Sequence, residues 1–229
     1  MPATLAFDVY GTLIDTAGVV SALQSLIGER AGEFSNAWRN KQLEYSFRRG
    51  LMQNYQDFSV CTRQALDWCC ETLQVAIAPA EKDALLAGYR QLPAFADVSA
   101  TLPVLQQAGH RLFAFSNGKA ADVAALLEHS GIADYFIDVV STGEISSFKP
   151  NPAVYAHFLR RSQATGAEAW MISGNPFDVI GGLSAGMRAA WVRRQPGLAF
   201  DPWGFTPSLT IASLEELPAG LAQAERRNG

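Results

Sequence analysis

Long apolar runs are missing from this sequence. No stretch reaches the roughly 20 residues that a membrane-crossing helix needs, and no charged-then-apolar leader opens the chain. The expected location is therefore the cytoplasm. Basic runs are missing too. Lys and Arg number 18 against 22 Asp and Glu, a formal net charge of −4, and no basic stripe interleaved with aromatics offsets it. Neither nucleic acid nor an acidic membrane surface is an expected partner. Cysteine is scarce, with Cys61, Cys69 and Cys70 making an odd count of 3 without zinc-like spacing. They read as reduced thiols packed in a helix, not as a disulfide framework or a metal site. The 3 histidines, His110, His129 and His157, stand in no nucleophile–base arrangement, so a Ser-His-Asp hydrolase has no support. Repeats and low-complexity tracts are absent.

What remains is an ordinary globular composition, 229 residues with 48% hydrophobic and 17% charged, enough for one good core or a core plus a smaller lobe. The apolar run Leu5-Ala6-Phe7 stops at Asp8, and Gly11 permits a sharp turn just after it. Asp8 would then stand at the carboxyl end of a buried strand, where open α/β sheets place their ligands. Thr12 can turn its hydroxyl back toward it. The pattern next reads as amphipathic helices over 19–27, 34–47, 58–73 and 81–89, with no strand among them. Beyond residue 96 it alternates: helix 100–107, strand 112–115, helix 120–129, strand 137–140, helix 153–161, strand 170–172, helix 179–185, strands 189–192 and 210–211, and a last helix before a frayed tail over 225–229. Such alternation predicts an α/β fold, a Rossmann-like parallel sheet covered on both faces. The helical block is an insertion after strand one: a core of 1–14 and 96–229 carrying an all-helical cap over 15–95.

Polar sets recur at the predicted strand ends. Strand one gives Asp8, Tyr10 and Thr12; the second gives Ser116-Asn117-Gly118. The third is followed by Ser147-Phe148-Lys149-Pro150 and Tyr155, the fourth by Ser173-Gly174-Asn175-Pro176-Phe177-Asp178. Each alone could be a helix cap or plain surface. Their recurrence at equivalent positions of a parallel sheet would line one crevice. On the 34–47 helix, Lys41, Glu44 and Arg48 form one charged face. Arg39 points the other way and has no carboxylate three or four residues distant. It either snorkels to solvent past Leu43, or faces inward and needs an anion.

These sets resemble the haloacid dehalogenase (HAD) superfamily, and within it look most like the L-2-haloacid dehalogenases (type II). The closer match rests on three stretches: Asp8-Val9-Tyr10-Gly11-Thr12-Leu13, Trp38-Arg39-Asn40-Lys41-Gln42-Leu43-Glu44-Tyr45, and Lys149-Pro150-Asn151-Pro152 with Tyr155. Two departures separate the chain from the phosphatase branch. Tyr10 stands where phosphatases carry a second acid, and Gly174 where they carry an aspartate for Mg²⁺. A phosphoryl dianion facing a carboxylate needs a cation, so a Mg²⁺-dependent phosphatase is the weaker reading. A non-catalytic binding module is the other alternative.

The resemblance implies hydrolysis of short-chain (S)-2-haloalkanoates to (R)-2-hydroxyalkanoates and halide, through an ester on Asp8, with no metal and no cofactor. It also implies roles. Arg39, Asn117 and Phe177 would take the halide, Lys149 would be the counter-charge, and Ser116 would hold the substrate carboxylate. Asp178 would orient or activate water, with Ser173 and Asn175 placing it. Tyr155 would position Lys149 or Asp178, and Thr12 would steady Asp8. Tyr10, Leu43 and Phe58 would line an apolar pocket. A homodimer is implied as well; the apolar stripe of Phe34, Trp38 and Tyr45 would suit it, or would equally serve packing inside the lid.

Overall fold

The computed structural model describes residues 2–226. Strand β1 (Thr4–Phe7) is buried on both faces, as an apolar run of strand length requires in a covered sheet. It lies at the centre of six parallel strands, with β2 (Arg111–Ser116) and β3 (Asp138–Ser141) on one side and β4 (Ala169–Ser173), β5 (Arg188–Val192) and β6 (Leu209–Ile211) on the other. The order is β3-β2-β1-β4-β5-β6. In register, Phe7 pairs with Ala114 of β2 and Ile172 of β4. The chain departs to opposite sides of β1, so the crevice of the fold opens where Asp8 leaves the sheet.

Helices α1 (Ala17–Ile27), α2 (Ala31–Leu51), α3 (Phe58–Thr72) and α4 (Pro79–Gly88) form the stretch between β1 and the rest of the sheet. In α2 the buried residues Phe34, Trp38, Gln42 and Ser46 recur every four positions, one stripe of a helix. Trp38 donates its indole N–H to the Thr62 carbonyl at 2.8 Å and so ties α2 to α3. The two connections to the sheet run side by side. Phe95 N–H donates to Leu13 O and Asp15 N–H to Pro93 O, both at 2.9 Å, around an antiparallel bridge of Ile14 with Ala94.

The sheet is flanked by α5 (Ala96–Gln107), α6 (Ala120–His129), α7 (Pro152–Ser162), α8 (Pro176–Ser184) and α9 (Leu217–Arg226). Several boundaries differ from the sequence expectation. Helices α7 and α8 begin on Pro152 and Pro176, because proline at a first helical position gives up no needed N–H. Helix α5 starts at Ala96, directly after the extended Phe95, and carries Pro103 inside it. The expected frayed tail is helical through Arg226; residues 227–229 lie outside the described residues. Of the two readings of the apolar stripe on α2, packing within the chain is the one found. Phe34 and Trp38 are fully buried and Tyr45 packs on the same cluster, so the stripe is consumed by the chain's own core. Among the described residues no helix is long and apolar enough to cross a membrane.

Candidate active site

Asp8 follows β1, its N–H donating to Ile172 O of β4 at 2.9 Å. Its two carboxylate oxygens are treated unequally. Oδ2 accepts from Thr12 Oγ1 at 2.9 Å, Ser173 Oγ at 3.1 Å and Asn175 Nδ2 at 2.7 Å. Oδ1 has a single donor among the described residues, Lys149 Nζ at 3.3 Å. The loops after β1 and β4 are pressed together to achieve this. Gly174 N–H donates to Thr12 Oγ1 at 2.8 Å, and Gly11 makes its turn at a φ of +77°.

Lys149 is 1% exposed, yet it is fully engaged. Besides Asp8 it donates to Phe115 O at 2.8 Å and Asp178 Oδ2 at 2.8 Å. Asp178 is completely buried, and Tyr155 OH donates to its other oxygen at 2.7 Å. Burial pushes the Asp178 carboxyl up to about 6; the nearby Asp8 charge pushes the same way, and Lys149 pulls against both. Burial and the Asp178 charge hold the Tyr155 phenol well above its usual range. Tyr155 reaches Asp178 only because Gly181 has no side chain: a Cβ there would lie 2.1 Å from the phenol oxygen.

Arg39 of α2 faces inward. Its Nη2 donates to Asn175 Oδ1 at 2.7 Å, so the Asn175 amide joins the guanidinium to the Asp8 carboxylate. The charged face of α2 is separate, with Glu44 paired to Lys41 at 2.6 Å and to Arg48. A cleft of about 610 Å³ opens over Asp8. Of the residues singled out in the sequence, Asp8, Tyr10, Arg39, Leu43, Phe58, Ser116, Asn117, Lys149, Asn175 and Phe177 line it. Thr12, Tyr155, Ser173 and Asp178 do not; they stand behind the lining and hold it. Asp178 therefore cannot meet a water in the cleft directly: both its oxygens are taken, and Lys149 stands between it and Asp8. Asn117 Oδ1 accepts from Lys149 N at 2.9 Å and Thr142 Oγ1 at 3.3 Å, which leaves its NH₂ without a partner among the described residues.

Among the lining residues that carried no role in the sequence reading are Gln42 and Tyr89. Gln42 Nε2 donates to Tyr89 OH at 3.0 Å, and the Tyr89 ring meets Tyr10 and Trp38 edge-on at 6.2 and 5.4 Å. Gln42 lies three positions after Arg39 on α2, a spacing that could have flagged it. Tyr89 sits just past the end of α4, and no sequence signal marks it.

The donors do not suit a divalent cation. Asp8 Oδ2 is filled by three hydrogen-bond donors, and an ammonium sits beside Oδ1. A Cβ at Gly174 would lie 2.5 Å from Gly11 O, so no carboxylate can enter at that position without moving the loop that carries Asp8. Among the described residues no group of three or more His, Cys, Asp or Glu side chains could hold a metal ion.

A carboxylate at the central strand end, a buried lysine behind it and a helical stretch supplying an arginine above it together define a hydrolase built for covalent catalysis. The model of haloacid dehalogenase-like hydrolases matches residues 2–186, and the chain belongs to that family. Dehalogenases are among its relatives. It is 32% identical to (S)-2-haloacid dehalogenase 2 of Pseudomonas sp. (strain CBS-3), over 97% of both chains. It is 32% identical to haloacetate dehalogenase H-2 of Moraxella sp. (strain B), over 93% of this chain and 95% of the relative. Among solved structures it superposes on the L-2-haloacid dehalogenase from Xanthobacter autotrophicus with chloropropionic acid covalently bound, with a TM-score of 0.89, 28% identity and coverage of 97% of this chain and 99% of that one.

Proposed function

We propose that the protein hydrolyses (S)-2-haloacids to (R)-2-hydroxyacids and halide through an ester on Asp8. The supporting observation is the inequality of the Asp8 oxygens. Three donors lock Oδ2, whereas Oδ1 meets only Lys149 at 3.3 Å, so Oδ1 is the nucleophile. It attacks C2 in line, and the carbon–halogen bond breaks with its electron pair going to the halide. Halide needs no proton, so Tyr10 in place of an acid costs nothing. Arg39 and the free NH₂ of Asn117 receive the growing negative charge, with Phe177 closing the halide site. Ser116 binds the substrate carboxylate. Bringing that carboxylate within about 4 Å of Asp8 would cost roughly 4 kcal/mol at an effective dielectric near 20, and Lys149 offsets this.

Water next adds to the ester carbonyl, whose oxygen is the former Oδ2. Thr12, Ser173 and Asn175 already aim at it, and so form a ready oxyanion site. The acyl–oxygen bond breaks, one proton of the water passes to the old Oδ1 as the hydroxyacid leaves and the other goes to solvent, and Asp8 keeps the oxygen of water. The substrate carbon is displaced once, so its configuration inverts. The covalently bound chloropropionic acid in the Xanthobacter relative agrees with an ester intermediate. Asp178 and Tyr155 position Lys149. Residues 15–95 act as a lid over a core of 1–14 and 96–229. The location we infer is the cytoplasm, where the free thiols of Cys61, Cys69 and Cys70 stay reduced. A homodimer is proposed on family likeness alone, and sedimentation at one-chain mass would end it. A single turnover in heavy-oxygen water should label Asp8 and leave the hydroxyacid unlabelled. Label in the product at once would mean that water attacks the substrate itself.

A further inference from the structure

The cleft does not end at the Asp8 pocket. Its volume of about 610 Å³ falls in the range that encloses drug-sized ligands, far beyond the need of a three-carbon acid. The surplus lies in a groove between α3 and α4. Val60, Arg63 and Asp67 line one side at the spacing of a single helix face. Asp83, Ala87 and Arg90 line the other at a matching spacing. Phe58, at the start of α3, belongs to both the inner pocket and the groove, so the two are continuous.

The chemistry changes along its length. Inside, Leu43, Phe58, Leu86 and the rings of Tyr10, Tyr89 and Phe177 make most of the wall, with the uncharged polar Gln42 and Thr62 among them. At the rim the charges are matched with one another. Arg63 pairs with Asp83 at 2.7 Å and Lys82 with Asp67 at 2.6 Å, two bridges that roof the groove from α3 to α4, while Arg90 pairs with Asp122 at 3.1 Å and Lys119 with Asp57 at 2.8 Å. Among the described residues no rim cation is left over to receive a second carboxylate.

We propose that this groove holds the uncharged tail of the substrate, and that the preferred substrates are 2-haloalkanoates with longer chains than haloacetate or halopropionate. The proposal rests on the dehalogenase reading of Asp8. Its test is halide release from (S)-2-chloro acids of about three to about six carbons. Each added methylene should raise kcat/KM about twofold to fourfold, as expected for a buried CH₂ in a half-open groove. Ala87→Trp, on the exposed side of the groove, should lower kcat/KM for the six-carbon acid about tenfold or more and leave chloropropionate within about twofold. A flat or falling series, an equal loss on both substrates, or preference for a 2-chloro diacid overturns the tail assignment. No halide from any of these acids would instead remove the dehalogenase reading, and this proposal with it.

Discussion

At the scale of single residues, the site is a chain of carboxylate, ammonium and carboxylate: Asp8, Lys149 and Asp178, with Tyr155 at its closed end. Lys149→Met leaves two buried anions facing each other without a cation. Halide release should fall about a thousandfold or more, the rate equivalent of roughly 4 kcal/mol. Thr12→Val and Ser173→Ala each remove one donor from Oδ2, which should slow ester breakdown about a hundredfold. The esterified enzyme then accumulates, visible as added protein mass after mixing with chloropropionate. Asp178 makes stability depend on pH. Its carboxyl is raised from 3.8 to about 6, so the folded chain keeps a proton across that window after the unfolded chain has lost it. Folding stability should therefore fall as pH rises through the window, and Asp178→Asn should remove that slope in denaturation midpoints. Asp8, Lys149 and Asp178 were legible as residues because each belongs to a polar set that follows a strand of a parallel sheet. Their order was not: spacing cannot say that Asp178 meets Lys149 before it meets the cleft. Nor could it say that Gly181 makes room for Tyr155.

At the scale of elements, the decisive contact is between the loop after β1 and the chain's return at Phe95. Arg194, just beyond β5, donates to Thr12 O at 2.7 Å and to Asp97 Oδ2 at 2.6 Å, and its guanidinium lies 4.0 Å from the centre of the Phe95 ring. Asp97 also accepts from Ser213 Oγ and Leu214 N–H. Burial opposes the charge, but these donors prevail and hold the Asp97 carboxyl below its usual range. Arg194→Met should cost about 2 to 3 kcal/mol in chemical denaturation, because it strands the Asp97 charge and frees the Thr12 carbonyl. Helices and strands were readable from period and turn residues, with ends displaced by a few positions where Pro152 or Pro176 begins a helix. Arg194 was not readable. A single arginine after a strand has no signature until the partners distant in sequence fold against it.

At the scale of the whole molecule, the parallel order β3-β2-β1-β4-β5-β6 explains why the carboxyl ends of the strands around β1 gather the site residues. The loops after β1, β2 and β4 open at the same end, and α2 reaches over them with Arg39. Oxyanion donors and an ammonium already surround Asp8, so chelator should leave halide release unchanged and added magnesium should not raise it. A dimer through Phe34 and Trp38 is excluded, because both are interior. The paired connections at Leu13–Phe95 and Asp15–Pro93 have a wider consequence. A stretch whose two ends meet one hydrogen bond apart can change length in its interior without changing the spacing of the strands it joins. Changes inside residues 15–95 that spare Arg39 should therefore alter what the cleft accepts while the reacting carboxylate stays where it is.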